Sequence, residues 1–270
     1  MTFEAKEWCN LLLRWTHVFA GILWVGTTYY FTWLDGRFSE LERSANEPRA
    51  KPGEKEVWMV HSGGFYRVEK QKAPNVLPER LHWFRWEAAV TWLSGLLLFF
   101  LVYYDGRLLE EFEGGKLSYG AAITLSMVLI GAAWTLYDLL WNSKFLANEL
   151  VGVLVGYVLV VVGAWLCFHY FASRAACLQL GAMMGTIMTA NVWMRILPAQ
   201  KRMVAALKEG REPDQNEARR AKLRSKHNTF LVIPVVFLML SNHFPGTYHW
   251  GVVSALVLAG WIVAMFLRRA

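Results

Sequence analysis

His17 is the first residue in this chain placed to do chemistry. It lies inside the run Arg14-Trp15-Thr16-His17-Val18-Phe19-Ala20-Gly21-Ile22-Leu23-Trp24-Val25-Gly26-Thr27-Thr28-Tyr29-Tyr30-Phe31-Thr32-Trp33-Leu34. That run is long enough to cross a bilayer, which takes about 20 apolar residues. Ionisable groups inside a membrane are costly and by default mark a site. Gly21 follows one helical turn later on the same face. An imidazole beside a missing side chain suits a flat iron cofactor: the nitrogen ligates and the gap admits the ring. The competing reading is a packing seam, with Gly21 and Gly26 letting a neighbouring helix close in.

The elements that must carry this histidine are membrane helices. The chain has 270 residues, 55% of them hydrophobic, with 14 Trp, 16 Phe and 10 Tyr. Long apolar runs recur from end to end, the pattern of a polytopic membrane protein in one domain, 1–270. The expected fold class is all-α, a bundle of about seven transmembrane helices plus an interfacial helix. The spans are expected near 9–34, 81–104, 119–141, 149–172, 175–198, 229–244 and 248–267. Residues 35–80 form a polar segment whose aromatic stretch 57–70 is too short to span, and it reads as an interfacial helix or lid bent by Gly63 and Gly64. Residues 199–228 are a polar, basic loop with helical character. The sixth span is short and holds Pro234.

Charge sets orientation. Nine Lys and Arg lie between the first and second spans, and nine between the fifth and sixth, with few on the other face. By the positive-inside rule the N-terminus is periplasmic and the C-terminus of this chain cytoplasmic. The net charge of +7 is thus accounted for by cytoplasmic segments, and nucleic-acid binding is rejected. This topology puts His17, His169, His243 and His249 toward the outer face, and His61, His82 and His227 at the inner one. His243 ends a span beside Asn242, which makes it the preferred second iron ligand to His17, with His169 the alternative. Two axial histidines would hold a b-type haem whose potential follows from ligands and burial. The three cysteines, Cys9, Cys167 and Cys177, form no Cys-x-x-Cys-His, so covalent haem on this chain is excluded. Cys167 and Cys177 flank one short loop, as a disulfide or as buried thiols. The N-terminus is not expected to be a cleaved signal, since Glu4 and Glu7 precede an apolar run too long for one.

Several ordered motifs resemble the membrane domain of bacterial cytochrome-c-linked urate oxidases, also called urate hydroxylases. They are the Arg14–Gly26 run, His61-Ser62-Gly63-Gly64-Phe65-Tyr66, Leu81-His82-Trp83-Phe84-Arg85-Trp86-Glu87, Gly181-Ala182-Met183-Met184-Gly185-Thr186-Ile187-Met188-Thr189-Ala190-Asn191-Val192, Gln200-Lys201-Arg202-Met203-Val204 and Ser241-Asn242-His243. They run in order across nearly the whole chain. The resemblance implies oxidation of urate to 5-hydroxyisourate, with electrons leaving to a cytochrome c or another respiratory-chain component, in the bacterial inner membrane. In that family another span and a C-terminal cytochrome c domain follow. That domain is absent from this sequence, which is expected to be either truncated or a form that uses a separate cytochrome.

Urate is a flat anion. Its site needs an apolar or aromatic slot, donors for its edges and a base for its N–H protons. The inner cluster supplies these types. His82 and Glu87 are expected to handle protons. Asn191 and Arg195, at i,i+4 spacing, with His227, Asn228 and His61, are expected to bind the substrate. A plainer reading pairs Glu87 with Arg85 or Arg14. Two other functions fit the same features: a non-catalytic b-type electron-transfer subunit, and, less well, a purine transporter. Transporters commonly show broken spans in matched halves, and only the sixth span is interrupted.

Overall fold

A computed structural model of the protein describes residues 2–44, 56–71, 74, 77–109, 116–143 and 148–268. Seven continuous helices follow one another: α1 Phe3–Ser44, α2 Trp86–Tyr104, α3 Tyr119–Asn142, α4 Glu149–Tyr170, α5 Ser173–Lys208, α6 Gln215–Ser241 and α7 Trp250–Leu267. Among the described residues one hairpin, β1 Glu56–His61 and β2 Gly64–Glu69, separates α1 from α2. The helices α2 to α7 are each long and apolar enough to cross a membrane. In α1, His17 and a run of threonines and tyrosines dilute the hydropathy, and α1 does not meet that standard alone. Thr27, Thr28 and Thr32 each return their hydroxyl to a backbone carbonyl one turn back, so none is left unpaired.

α1 runs antiparallel to α2 along the whole length of α2. Lys6 meets Asp105 at one end, His17 meets Thr91 midway, and the rings of Phe31 and Phe84 meet edge-on at 4.9 Å at the other. His17 therefore sits near the middle of α2, deeper than the outer-face position its topology suggests. Beyond Phe31, α1 continues past the start of α2. This end carries the segments rich in Lys and Arg and corresponds to the inner end of the sequence reading.

The interfacial helix expected over 57–70 is a β-hairpin. Ser62 and Gly63 have φ of 49° and 75°, the two left-handed positions of a tight primed turn that matches strand twist. Alternation does the rest: Val57, Met59 and Val68 face α1 and pack on Leu34 and Phe38. The paired glycines thus close a turn instead of bending a helix.

α5 is the most buried span. It is the central post, in contact with α2, α3, α4 and α6. Gln179 is fully buried; its amide donates to the Ser126 carbonyl at 2.9 Å and its oxygen accepts from Ser126 Oγ at 2.5 Å. Gly181 lets α6 approach, since a Cβ there would lie 3.3 Å from Leu238 Cβ. Cys167 and Cys177 are buried free thiols. The helix continues beyond residue 198 through a π turn, Asn191–Ile196. Proline has no N–H to donate, and the wider turn carries the helix into Pro198. α6 likewise runs through Pro234 and begins at Gln215, because its first turns are basic and invisible to hydropathy.

Candidate functional site

At the inner end, α1, the irregular segment leading into α2, α5 and α6 border a cavity of about 1200 Å³. Trp24 and Phe31 of α1 and Trp83 and Phe84 of the leading segment give it aromatic walls. His82 and Glu87 lie on the same wall, and Asn228 faces them from α6. The His82 ring is exposed and meets Phe84 edge-on at 4.5 Å. Glu87 opens α2, where the exposed backbone N–H groups favour an acid. Among the described residues it forms no ion pair. The partners of the plainer reading are engaged elsewhere: Arg85 lies over Trp86 at 5.2 Å, and Arg14 donates to Asn10 at 2.6 Å. Arg219, Lys222, Lys226 and Arg268 line the cavity, as do Asp35, Glu40 and Glu149, and Lys226 pairs with Glu149.

Asn191, Arg195, His227 and His61 are not on this wall. Asn191 is fully buried and spends both amide hydrogens, on Asn228 Oδ1 and on Tyr137 Oη, each at 2.9 Å. Asn228 in turn donates to the Met188 carbonyl at 3.0 Å. Tyr137 Oη lies 2.7 Å from His227 Nδ1, and Trp141 packs on that imidazole at 4.2 Å, the rings tilted by 53°. His227 faces a second cavity of about 640 Å³, apolar and bounded by α3, α4, α5, α6 and α7. Arg195 pairs with Asp138, its Nε donating to Oδ1 at 2.8 Å. Arg224 reaches the same carboxylate at 2.9 Å. Tyr137, Asp138 and Arg224 are the functional neighbours that sequence reasoning missed. An acid at the inner end of the third span, level with Arg195, was the available signal. His61 lies at the exposed hairpin turn, its Nδ1 2.9 Å from Ser62 Oγ. The segment after the hairpin, through Gln71, Pro74 and Leu77, borders the cavity instead.

His17 donates from Nδ1 to the Thr91 carbonyl at 2.9 Å. That bond fixes the tautomer and leaves Nε2 as a basic nitrogen, the arrangement that orients a metal-ligating imidazole. The chemistry of this donor fits iron. The space beside Gly21 does not serve as a ring slot, because Thr91 Cγ2 stands 3.8 Å from where its Cβ would be. Gly21 is thus part of the α1–α2 seam. His243 is exposed in the turn after α6, and the His169 ring stacks on Trp165 with Lys116 Nζ 3.1 Å from its Nδ1. No interaction among the described residues joins either to His17.

No curated protein and no solved structure matches the chain. A family model described as urate oxidase N-terminal matches residues 4–270, nearly the full length. Helices suited to a membrane and an inner cavity with an unpaired acid accompany that match, and the chain belongs to the urate oxidase N-terminal family.

Proposed function

We propose that this protein is a membrane-bound urate oxidase that converts urate to 5-hydroxyisourate in the inner cavity. The observation that carries the reading is Glu87, unpaired among the described residues, on one wall with His82 in an aromatic-lined cavity. Trp24, Trp83 and Phe84 suit the faces of a flat purine. The Asn228 amide offers an edge contact, and the basic residues of the lining draw the anion in. Glu87 takes an N–H proton from urate as a general base. His82, exposed at the mouth, passes protons to water. Oxygen from water adds to the purine while two electrons and two protons leave. Asn191 supports the wall from behind, through Asn228, while Arg195 pairs with Asp138 away from it.

The electrons pass to a cytochrome c. A haem b on His17, with His243 preferred to His169 as the second ligand, would supply a one-electron station on that route. The free Nε2 of His17 supports its part. The protein belongs in the bacterial inner membrane with its N-terminus periplasmic, as the distribution of Lys and Arg indicates.

Purified protein given urate and oxidised cytochrome c should reduce the cytochrome only when urate is present. Glu87→Gln should lower that rate at least about 100-fold, the usual contribution of a general base, with haem absorbance unchanged. A variant as active as the wild type would move the site out of this cavity. Haem absorbance without urate-dependent reduction would favour the non-catalytic carrier.

A further inference from the structure

The outward face of the hairpin is charged at its base, where Glu56, Glu69 and Arg67 stand, and apolar toward its tip. In the register of β1 and β2, Trp58 pairs with Arg67 and Val60 with Phe65. Trp58, Val60 and Phe65 are 63%, 69% and 78% exposed. The opposite face is already used, packed on α1 through Val57, Met59 and Val68.

The contacts of that packed face give the hairpin a direction. At its base, Val57 lies against Leu34 and Phe38, and Lys70 pairs with Asp35. Two residues further along the strand, Met59 Sδ accepts the Tyr30 hydroxyl at 3.5 Å. The hairpin therefore runs along α1 toward lower numbers, which is toward the bilayer. Each strand residue advances about 3.3 Å, so the tip lies about 7 Å beyond Met59. On α1, at about 1.5 Å per residue, that depth corresponds to about five residues before Tyr30. Phe31 already meets Phe84, just before α2 begins. The tip thus stands about level with the first turns of a membrane-spanning helix, past the exposed aromatics Tyr30 and Phe31 of α1 and near the level of the exposed Trp86 of α2. Aromatic side chains concentrate at that depth in membrane proteins.

We propose that the hairpin is an interfacial anchor whose tip, Val60 with Phe65, dips into the edge of the bilayer that the helices cross. The occupant of the apolar face is lipid, in continuity with the lipid-facing aromatics of α1 and α2. The anchor also holds the following segment, which borders the inner cavity and leads to His82.

The proposal is tested in nanodiscs by spin-label accessibility. In a Cys9→Ser background the buried Cys167 and Cys177 stay unlabelled. A nitroxide at Phe65→Cys is compared with one at Glu69→Cys, at the hairpin base. The Phe65 label should be relaxed strongly by oxygen and weakly by a water-soluble nickel chelate, and the Glu69 label the reverse. Both sites are on the surface, so neither change disturbs packing. Equal access of the nickel chelate to both labels would overturn the proposal. So would a Phe65 label immobile and shielded from both reagents, since a protein would then cover this face. Urate turnover does not enter the measurement, which separates its failure from that of the catalytic reading.

Discussion

Asp138 is the residue on which the inner ends of α3, α5 and α6 converge. Its carboxylate takes Arg195 on one side and Arg224 on the other. The two partners are not equivalent, with side chains 41% and 4% exposed respectively. Without Asp138, Arg195 can return to water and Arg224 cannot. Asp138→Asn should therefore cost about 3–5 kcal/mol, the usual effect of leaving a buried charge unmatched, while Arg195→Ala costs about 0–1 kcal/mol. Thermal unfolding in detergent separates them, and shifts of equal size would show that Arg224 finds another partner. At this scale the sequence was half legible. The spacing of Asn191 and Arg195 correctly puts them on one face, since both reach the Tyr137–Asp138 corner. What they meet was not legible, because Asp138 lies 57 residues from Arg195 and 86 from Arg224 in the chain. Residue types that bind an anion also make buried struts, and only the partner decides. Glu87 and His82 stand five residues apart, about a turn and a half if both were helical, so the spacing alone did not put them on one side; His82 lies in the irregular segment before α2, and both line the cavity.

The α1–α2 pair is tuned at both its middle and its outer end. A Cβ at Gly95 would lie 2.7 Å from Cε1 of His17, so Gly95→Ala should push the ring off the Thr91 carbonyl. The overpacking should cost about 1–3 kcal/mol. If His17 ligates haem, the Soret band of that variant should shift or weaken, and an unchanged band with unchanged stability would remove His17 from the cofactor. At the outer end, the Lys6 ammonium holds the Asp105 carboxyl below its ordinary value, by a hydrogen bond first and by its charge second. A folded pKa below the unfolded one, about 4, gives stability that is fully present above the unfolded value. It is lost as pH falls through the lowered one. Asp105→Asn should remove this part of the acid sensitivity, measured as unfolding temperature from pH 6 down to pH 3. Among elements, the six apolar spans were legible because burial in lipid writes itself as long uninterrupted runs. The hairpin was not, because Val57 to Lys70 is short, aromatic and glycine-punctuated, a pattern that helix and strand share. The first turns of α6 were hidden because polar, basic helical turns carry no hydropathy signal.

The whole molecule has one end rich in Lys and Arg, where the cavity opens, and one end poor in them. Cysteines placed at Ser44 and Gln215, in the Cys9→Ser background, should react in intact cells only with a membrane-permeant reagent. Ready labelling by an impermeant one would reverse the orientation and put the cavity outside. The pairing of α1 with α2 has a further consequence, for biogenesis. The helix that carries His17 is also the one whose hydropathy falls short by itself. A segment of this kind partitions poorly from the translocon on its own merit, where each polar residue at the centre counts against insertion. α2 supplies what is missing: a complementary surface for His17, a place for Lys6 to end, and an apolar neighbour from Lys6 to Phe31. The insertion of α1 is therefore expected to depend on α2, the two entering as one helical hairpin.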